Sequence, residues 1–186
     1  MILDLMIWSP VIVGLILLLI GKNATSLSYW LSLTTSLLVF GMSMYALSMF
    51  KTDQVGIQFE LIVPWIERFN INYHLGIDGI SFPLILLTTF ITPIVILTAR
   101  TSNKINLHQY LASFLILEGL MIGVFSSLDA FLFYVFWEAM LIPMFIIIGI
   151  WGGENRVYAT IKFFLYTFLG SVFMLIAIIY LYISTG

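Results

Sequence analysis

The sequence contains no cysteine. That excludes disulfides, thiolate-ligated iron–sulfur clusters and cysteine-based zinc sites within this chain. It is also poor in charge. Only 9% of its 186 residues are Asp, Glu, Lys or Arg, and the net charge is −2. Neither figure suits a nucleic-acid partner or an anionic surface. There are two histidines, His74 and His108. Both fall outside the apolar runs, so bis-histidine haem ligation in a membrane finds no support. The N-terminus lacks the basic stretch and small-residue cleavage site of a signal peptide, and it reads as an uncleaved first span.

What remains is apolar. Hydrophobic residues make up 62% of the chain, and the mean hydropathy is +1.13. This is the composition of a polytopic membrane protein. A spanning helix needs ~20 mostly apolar residues. Six stretches qualify: Leu3–Gly21, Leu27–Phe50, Ile80–Ala99, Tyr110–Phe125, Ala130–Trp151 and Thr160–Ile183. The expected fold is all-α, with residues 1–50 giving helices one and two, 51–79 an outer loop, and 80–186 helices three to six.

Basic residues set the orientation. Lys22, Arg100, Lys104, Arg156 and Lys162 fall on one side, and only Lys51 and Arg68 on the other. The positive-inside rule then places both termini and the 51–79 loop outside. In that loop Ile57, Phe59, Leu61 and Val63 alternate with other residues, as do Ile71, Tyr73 and Leu75. Period two predicts a short β-hairpin, with the intervening PWIERFN as its reversal. A lone hairpin is marginal in water, so it should lean on the membrane domain or on another subunit. His74 reads as a polar-face residue of this hairpin. Asp78 and Ser81 are placed to cap the third span. The first two spans carry no intramembrane charge and read as peripheral packing helices. Ser, Thr and Gly in the second, and Gly170, Ser171 and Ala177 in the sixth, suit close helix contact.

The chemistry concentrates at two carboxylates. Glu138 lies near the middle of the fifth span, and Glu118 inside the fourth. A charge at that depth costs ~3 kcal/mol on insertion scales, and groups kept there commonly carry or hold a proton. Glu118 precedes the Ser126–Asp129 turn by about as many residues as Glu138 follows it. At ~1.5 Å per residue both sit roughly 14–17 Å from that turn. If the two approach closely, one of them holds a proton near neutral pH. The plain alternative is that each is a neutral hydrogen-bonding group that fixes helix packing. Pro143 removes an amide donor and frees the carbonyl of Ala139, beside Glu138. Lys162, at the opening of the sixth span, reads as a side chain snorkelling to the inner surface. Alternatively it admits protons from the inside toward Glu138.

Three stretches carry a family resemblance. WEAMLIPMFIIIGIWGG at 137–153 resembles the signature of subunit M (chain 4) of proton-pumping NADH:quinone oxidoreductase, respiratory complex I. GIDGISFPLILLT at 76–88 and FFLYTFLGSVFMLIAII at 163–179 are similar to that subunit's third- and sixth-helix segments. The resemblance implies the N-terminal third of an antiporter-like fourteen-helix fold, ending in the first inverted repeat. It implies that Glu138 pairs with a lysine on a broken seventh helix, outside these residues, and that Glu118 is the fourth-helix acid. It also implies a chain with no cofactor of its own. NADH, flavin, iron–sulfur clusters and quinone are then expected in partner subunits. Partners would be other membrane-arm subunits, chiefly two antiporter-like siblings, and the lipid bilayer. The location would be a bacterial cytoplasmic (inner) membrane, or else a mitochondrial inner membrane. Such a chain is expected to be a fragment or one product of a split gene. Two other readings stand beside it: a subunit of a multi-subunit sodium/proton antiporter, and a scaffold that translocates nothing.

Overall fold

A computed structural model describes residues 1–21, 25–54, 56–100 and 105–185. Lys22 and Lys104, both counted above for orientation, lie outside the described residues. The elements run α1 (Ile2–Ile20), α2 (Thr25–Met49), β1 (Gln58–Ile66), β2 (Ile71–Ile77), α3 (Ser81–Ala99), α4 (Leu107–Ser126), α5 (Ala130–Trp151) and α6 (Arg156–Thr185). All six helices are long and apolar enough to cross a membrane. The protein is a polytopic membrane protein with one small sheet.

Two helices begin earlier than their apolar runs. α4 starts at Leu107 and takes in His108, which is buried rather than lying outside the span. α6 starts at Arg156, which puts Lys162 in its second turn instead of at its opening. In both cases polar residues continue the helix past the hydrocarbon-like core, where backbone bonding carries on regardless of hydropathy.

α4 lies at the centre, packed against α1, α2, α3 and α5. The contact with α1 is set by two glycines. A Cβ on Gly14 would come within 2.6 Å of the Ile116 side chain, and one on Gly119 would collide with the carbonyl oxygen of Ile7. Between membrane helices, small residues at the contact let backbones approach and gain dispersion energy. α1 is therefore a close partner of the helix that carries Glu118, not a peripheral one. α2 joins α3 through a buried hydrogen bond between the Ser43 and Thr89 hydroxyls, 2.8 Å. Its Gly41 meets no neighbour. On α6, Ser171 is buried, but Gly170 meets nothing and Ala177 is exposed, so the expected small-residue contact does not form.

The hairpin forms, with its strands placed differently from the alternation. β1 continues through Pro64, Trp65 and Ile66, and the reversal is a single 3-10 turn, Glu67–Phe69, closed by Asn70 in the left-handed region. Pro64 pairs with Asn72 on the outer strand of a two-stranded sheet, a place where a missing N–H is tolerated. The register shifts twice, between Gln58 and Leu61 and between Pro64 and Ile66. Phe59 sits at φ 55° within the first shift. These bulges break the period of two, which leaves Ile62, Val63 and Trp65 exposed together. β2 is the inner strand, with Leu75, Gly76 and Ile77 buried.

Candidate functional site

The two carboxylates are placed alike and face apart. α4 ends at Ser126 and α5 begins at Ala130. Each acid is thus eight residues from the end of its helix nearest the α4–α5 turn, about 12 Å along the axis. Glu118 is 1% exposed, and neither carboxyl oxygen has a hydrogen-bond partner among the described residues. It lines a cleft of about 210 Å³ between α3 and α4, together with Leu84, Thr88, Thr92, Phe114 and Phe125.

Glu138 does not line that cleft. It is half-buried, and its Oε1 is buried without a hydrogen-bond partner among the described residues. Tyr134, one turn outward on α5, lies against its carboxyl. Residues seven and eleven positions further on share its face of the helix. Those are Phe145, whose ring meets Phe164 edge-on at 5.5 Å, and Gly149, where a Cβ would stand 3.6 Å from Thr160. Both contacts are with α6. Glu138 therefore belongs to the α5–α6 side, and Glu118 to the α3–α4 side.

Lys162 is not brought to Glu138 either. Thr160 and Phe164 are among the α6 residues that meet α5, and a residue two positions from each points the other way round the helix. Lys162 is exposed, with its Nζ 3.4 Å from the Tyr158 hydroxyl and 5.5 Å above that ring. At the same end, away from the hairpin, the Trp151 indole donates to the carbonyl of Ile105, 2.8 Å, and packs edge-on against Tyr110.

The hairpin end is held by polar groups. Asp78 Oδ1 accepts from the amides of Ile80 and Ser81, at 3.0 and 2.7 Å, and the Ser81 hydroxyl accepts from the Asp78 amide. These bonds to the ionised form hold the Asp78 carboxyl below its usual range. The Trp8 indole donates to the Tyr73 hydroxyl, 3.1 Å, tying α1 to β2. His74 pairs with Glu60 across the hairpin at 2.8 Å, as a polar-face residue would.

One residue passed over in the sequence stands out. Asp129 sits in the turn between the two acid-bearing helices. Its Oδ1 accepts from the amides of Phe131 and Leu132, at 2.9 and 3.1 Å, capping α5. Its Oδ2 accepts from the amide of Asn72 on β2, 3.0 Å. The Leu128 amide donates to the His74 carbonyl, 2.9 Å, and Leu75 bridges to Ser127. The α4–α5 turn thus continues the sheet beyond β2. An Asp immediately before an apolar run is a signal for the cap. Nothing in the sequence signals the bond to Asn72.

The helix arrangement and the buried acids define a class of protein. The fold matches a chain of respiratory complex I from Thermus thermophilus with bound NADH, with a TM-score of 0.80 and 30% identity, over 96% of this chain and 35% of that one. It also matches a chain of the membrane-bound sulfane sulfur reductase, an archaeal respiratory membrane complex, with a TM-score of 0.82 over 100% of this chain and 28% of that one. At 19% identity the second match shows the fold alone. A family model described as NADH:quinone oxidoreductase/Mrp antiporter, TM, matches residues 127–186, which include Glu138. The fold is that of an antiporter-like membrane subunit.

Within that class the chain is similar to proteins named subunit M, or chain 4, of NADH:quinone oxidoreductase. It is 42% identical to NADH-quinone oxidoreductase subunit M of Rickettsia prowazekii, over 97% of this chain and 38% of the relative. It is 44% identical to NADH-ubiquinone oxidoreductase chain 4 of Marchantia polymorpha, over 95% of this chain and 36% of the relative. With subunit M of Rhodobacter capsulatus the identity is 47%, over 89% and 32%. The chain spans about a third of the length of these relatives.

Proposed function

We propose that this chain is part of a membrane-arm subunit of NADH:quinone oxidoreductase, and that Glu138 takes up and releases a proton during turnover. The observation that carries this is a carboxyl in the middle of an apolar helix with one buried oxygen unpartnered. It lies within the region that matches the oxidoreductase/antiporter family. Such a group works as a switch. A nearby cation favours the ionised acid, and withdrawing that cation in a dry site favours the protonated one. Each unit of pKa swing corresponds to ~1.4 kcal/mol. Lys162 faces away from Glu138, so the cation comes from outside these residues, and Lys162 serves as an inner-surface anchor. Glu118 is a second proton-holding group on the α3–α4 side.

Electron transfer from NADH to quinone, with its flavin and iron–sulfur clusters, belongs on this account to other subunits. The partners are the other membrane-arm subunits, the two antiporter-like siblings first among them. Residues 1–50 form the leading helix pair, 51–79 the outer hairpin segment, and 80–186 the helices that open the first inverted repeat. The membrane is a bacterial cytoplasmic membrane or a mitochondrial inner membrane, since relatives of both kinds are similar to this chain. The hairpin and both ends of the chain face outward. A sodium/proton antiporter subunit is the second reading, because the matching family model spans both groups. Rescue of a salt-sensitive, antiporter-deficient strain by the complete subunit would favour it.

Glu138→Gln, introduced into the complete subunit in its complex, is expected to abolish NADH-driven proton pumping while leaving assembly intact. Normal pumping by an assembled Glu138→Gln complex would sink the proposal.

A further inference from the structure

We infer that Asp129 is a positioning residue that ties the outer hairpin to the Glu138 helix, so that the hairpin helps to set where Glu138 sits. The inference rests on the role proposed for Glu138 and goes beyond it. A single carboxylate serves two elements. Oδ1 holds the first turn of α5 through the Phe131 and Leu132 amides, and Oδ2 holds β2 through the Asn72 amide. Bonds of this kind, from neutral donors to an ionised acceptor, are among the stronger ones. Asn72 pairs with Pro64, and its amide is spent on Asp129 rather than on β1.

Two further links run beside it, from the Leu128 amide to the His74 carbonyl and between Leu75 and Ser127. Gly76 is in close contact there. A Cβ at that position would stand 2.7 Å from Leu128 and would also overlap Ile57. The sheet and the start of α5 therefore move as one body. Glu138 lies nine residues along α5 from Asp129, about 13 Å. A helix transmits a displacement of its first turn along its axis, because its backbone bonds are continuous. The other end of this body is exposed. Ile62, Val63 and Trp65 on β1 are open for contact, so anything that presses on the hairpin also moves the helix that carries the acid.

Two substitutions break the tie from opposite sides and spare the cap. Asn72→Pro deletes the donor. Asp129→Asn keeps one oxygen for the cap, at which Asn is as good as Asp, and offers an NH2 in place of the second acceptor. Each is placed in the complete subunit within its assembled complex. The readouts are NADH-driven proton pumping per NADH oxidised, and the infrared band of the protonated Glu138 carboxyl, assigned by its disappearance in Glu138→Gln. We expect both variants to assemble, to shift that band in the same direction, and to lower pumping by at least about threefold through misplacement of the acid. A native band and native pumping in both variants would overturn the inference, even if their thermal stability falls. So would an effect of Asp129→Ala that neither tie-breaking variant shares, because the cap alone would then account for it. If Asn72→Pro fails to assemble, Asp129→Asn decides by itself on the same two readouts. Failure of the underlying role is a separate result: Glu138→Gln pumps normally, whereas the band still reports whether the tie positions the acid.

Discussion

Tyr73 shows how much one side chain holds at the outer end. Its hydroxyl accepts from the Trp8 indole, and burial together with the nearby Asp4 carboxylate pushes its pKa up to about 12. Burial is the larger cause. A raised pKa means that the folded protein holds this proton more tightly than the unfolded chain does. The corresponding stability is fully present below the ordinary tyrosine value of 10.0 and is lost as pH rises through about 12. Tyr73→Phe should therefore remove the alkaline loss of the α1–hairpin contact, followed by Trp8 fluorescence, at a cost of about 1 kcal/mol for the missing hydrogen bond. At this scale the two acids were legible in the sequence, because a lone carboxylate inside an apolar run is expensive and stands out. Their separation was not. Helical spacing gives depth, but which neighbour each face meets depends on contacts such as Phe145–Phe164. The second role of Asp129, beyond its cap, was illegible for a related reason. Its partner Asn72 is 57 residues away, and a turn acid without its partner looks like any solvated charge.

Among the elements, α1 and α4 make the tightest pair. Gly119 touches Pro10, Val11 and the backbone of Ile7. Gly119→Leu should push α1 off α4 and destabilise the subunit by about 1–3 kcal/mol, the usual cost of overpacking. The thermal midpoint of the purified complex measures it, and Val11→Ala in the same chain should recover only part, since the carbonyl of Ile7 stays in the way. Hydropathy located all six helices to within a few residues, because runs of apolar side chains are a strong signal. It could not rank them. A single glycine within a helix does not announce a crossing, so α1 looked peripheral. The hairpin was legible as an alternation, yet its strand limits were not. Pro64 reads as a breaker until its place on the outer strand is known, and the bulge at Phe59 shifts which side chains face in.

For the whole molecule, the lack of cysteine is an experimental opening. A single cysteine put in place of Glu67, in the hairpin turn, should react with a membrane-impermeant thiol reagent added from outside. One in place of Glu154, in the turn between α5 and α6, should react only after the membrane is opened. The reverse pattern would invert the orientation proposed above. The structure places the start of α1, the hairpin and the α4–α5 turn at one end, through Trp8–Tyr73 and Asp129–Asn72. The positive-inside count rests partly on Lys22 and Lys104, so labelling tests the orientation independently of them.

The bond from Trp8 to Tyr73 joins residues 65 positions apart, and the glycine that seats α1 lies further along still, on α4. A ribosome delivers the chain from its N-terminus, so α1 enters the bilayer well before either of its anchors has been made. During synthesis it waits in lipid, or beside whatever inserts it, with only α2 to lean on. Its final position is then timed by the arrival of the fourth helix.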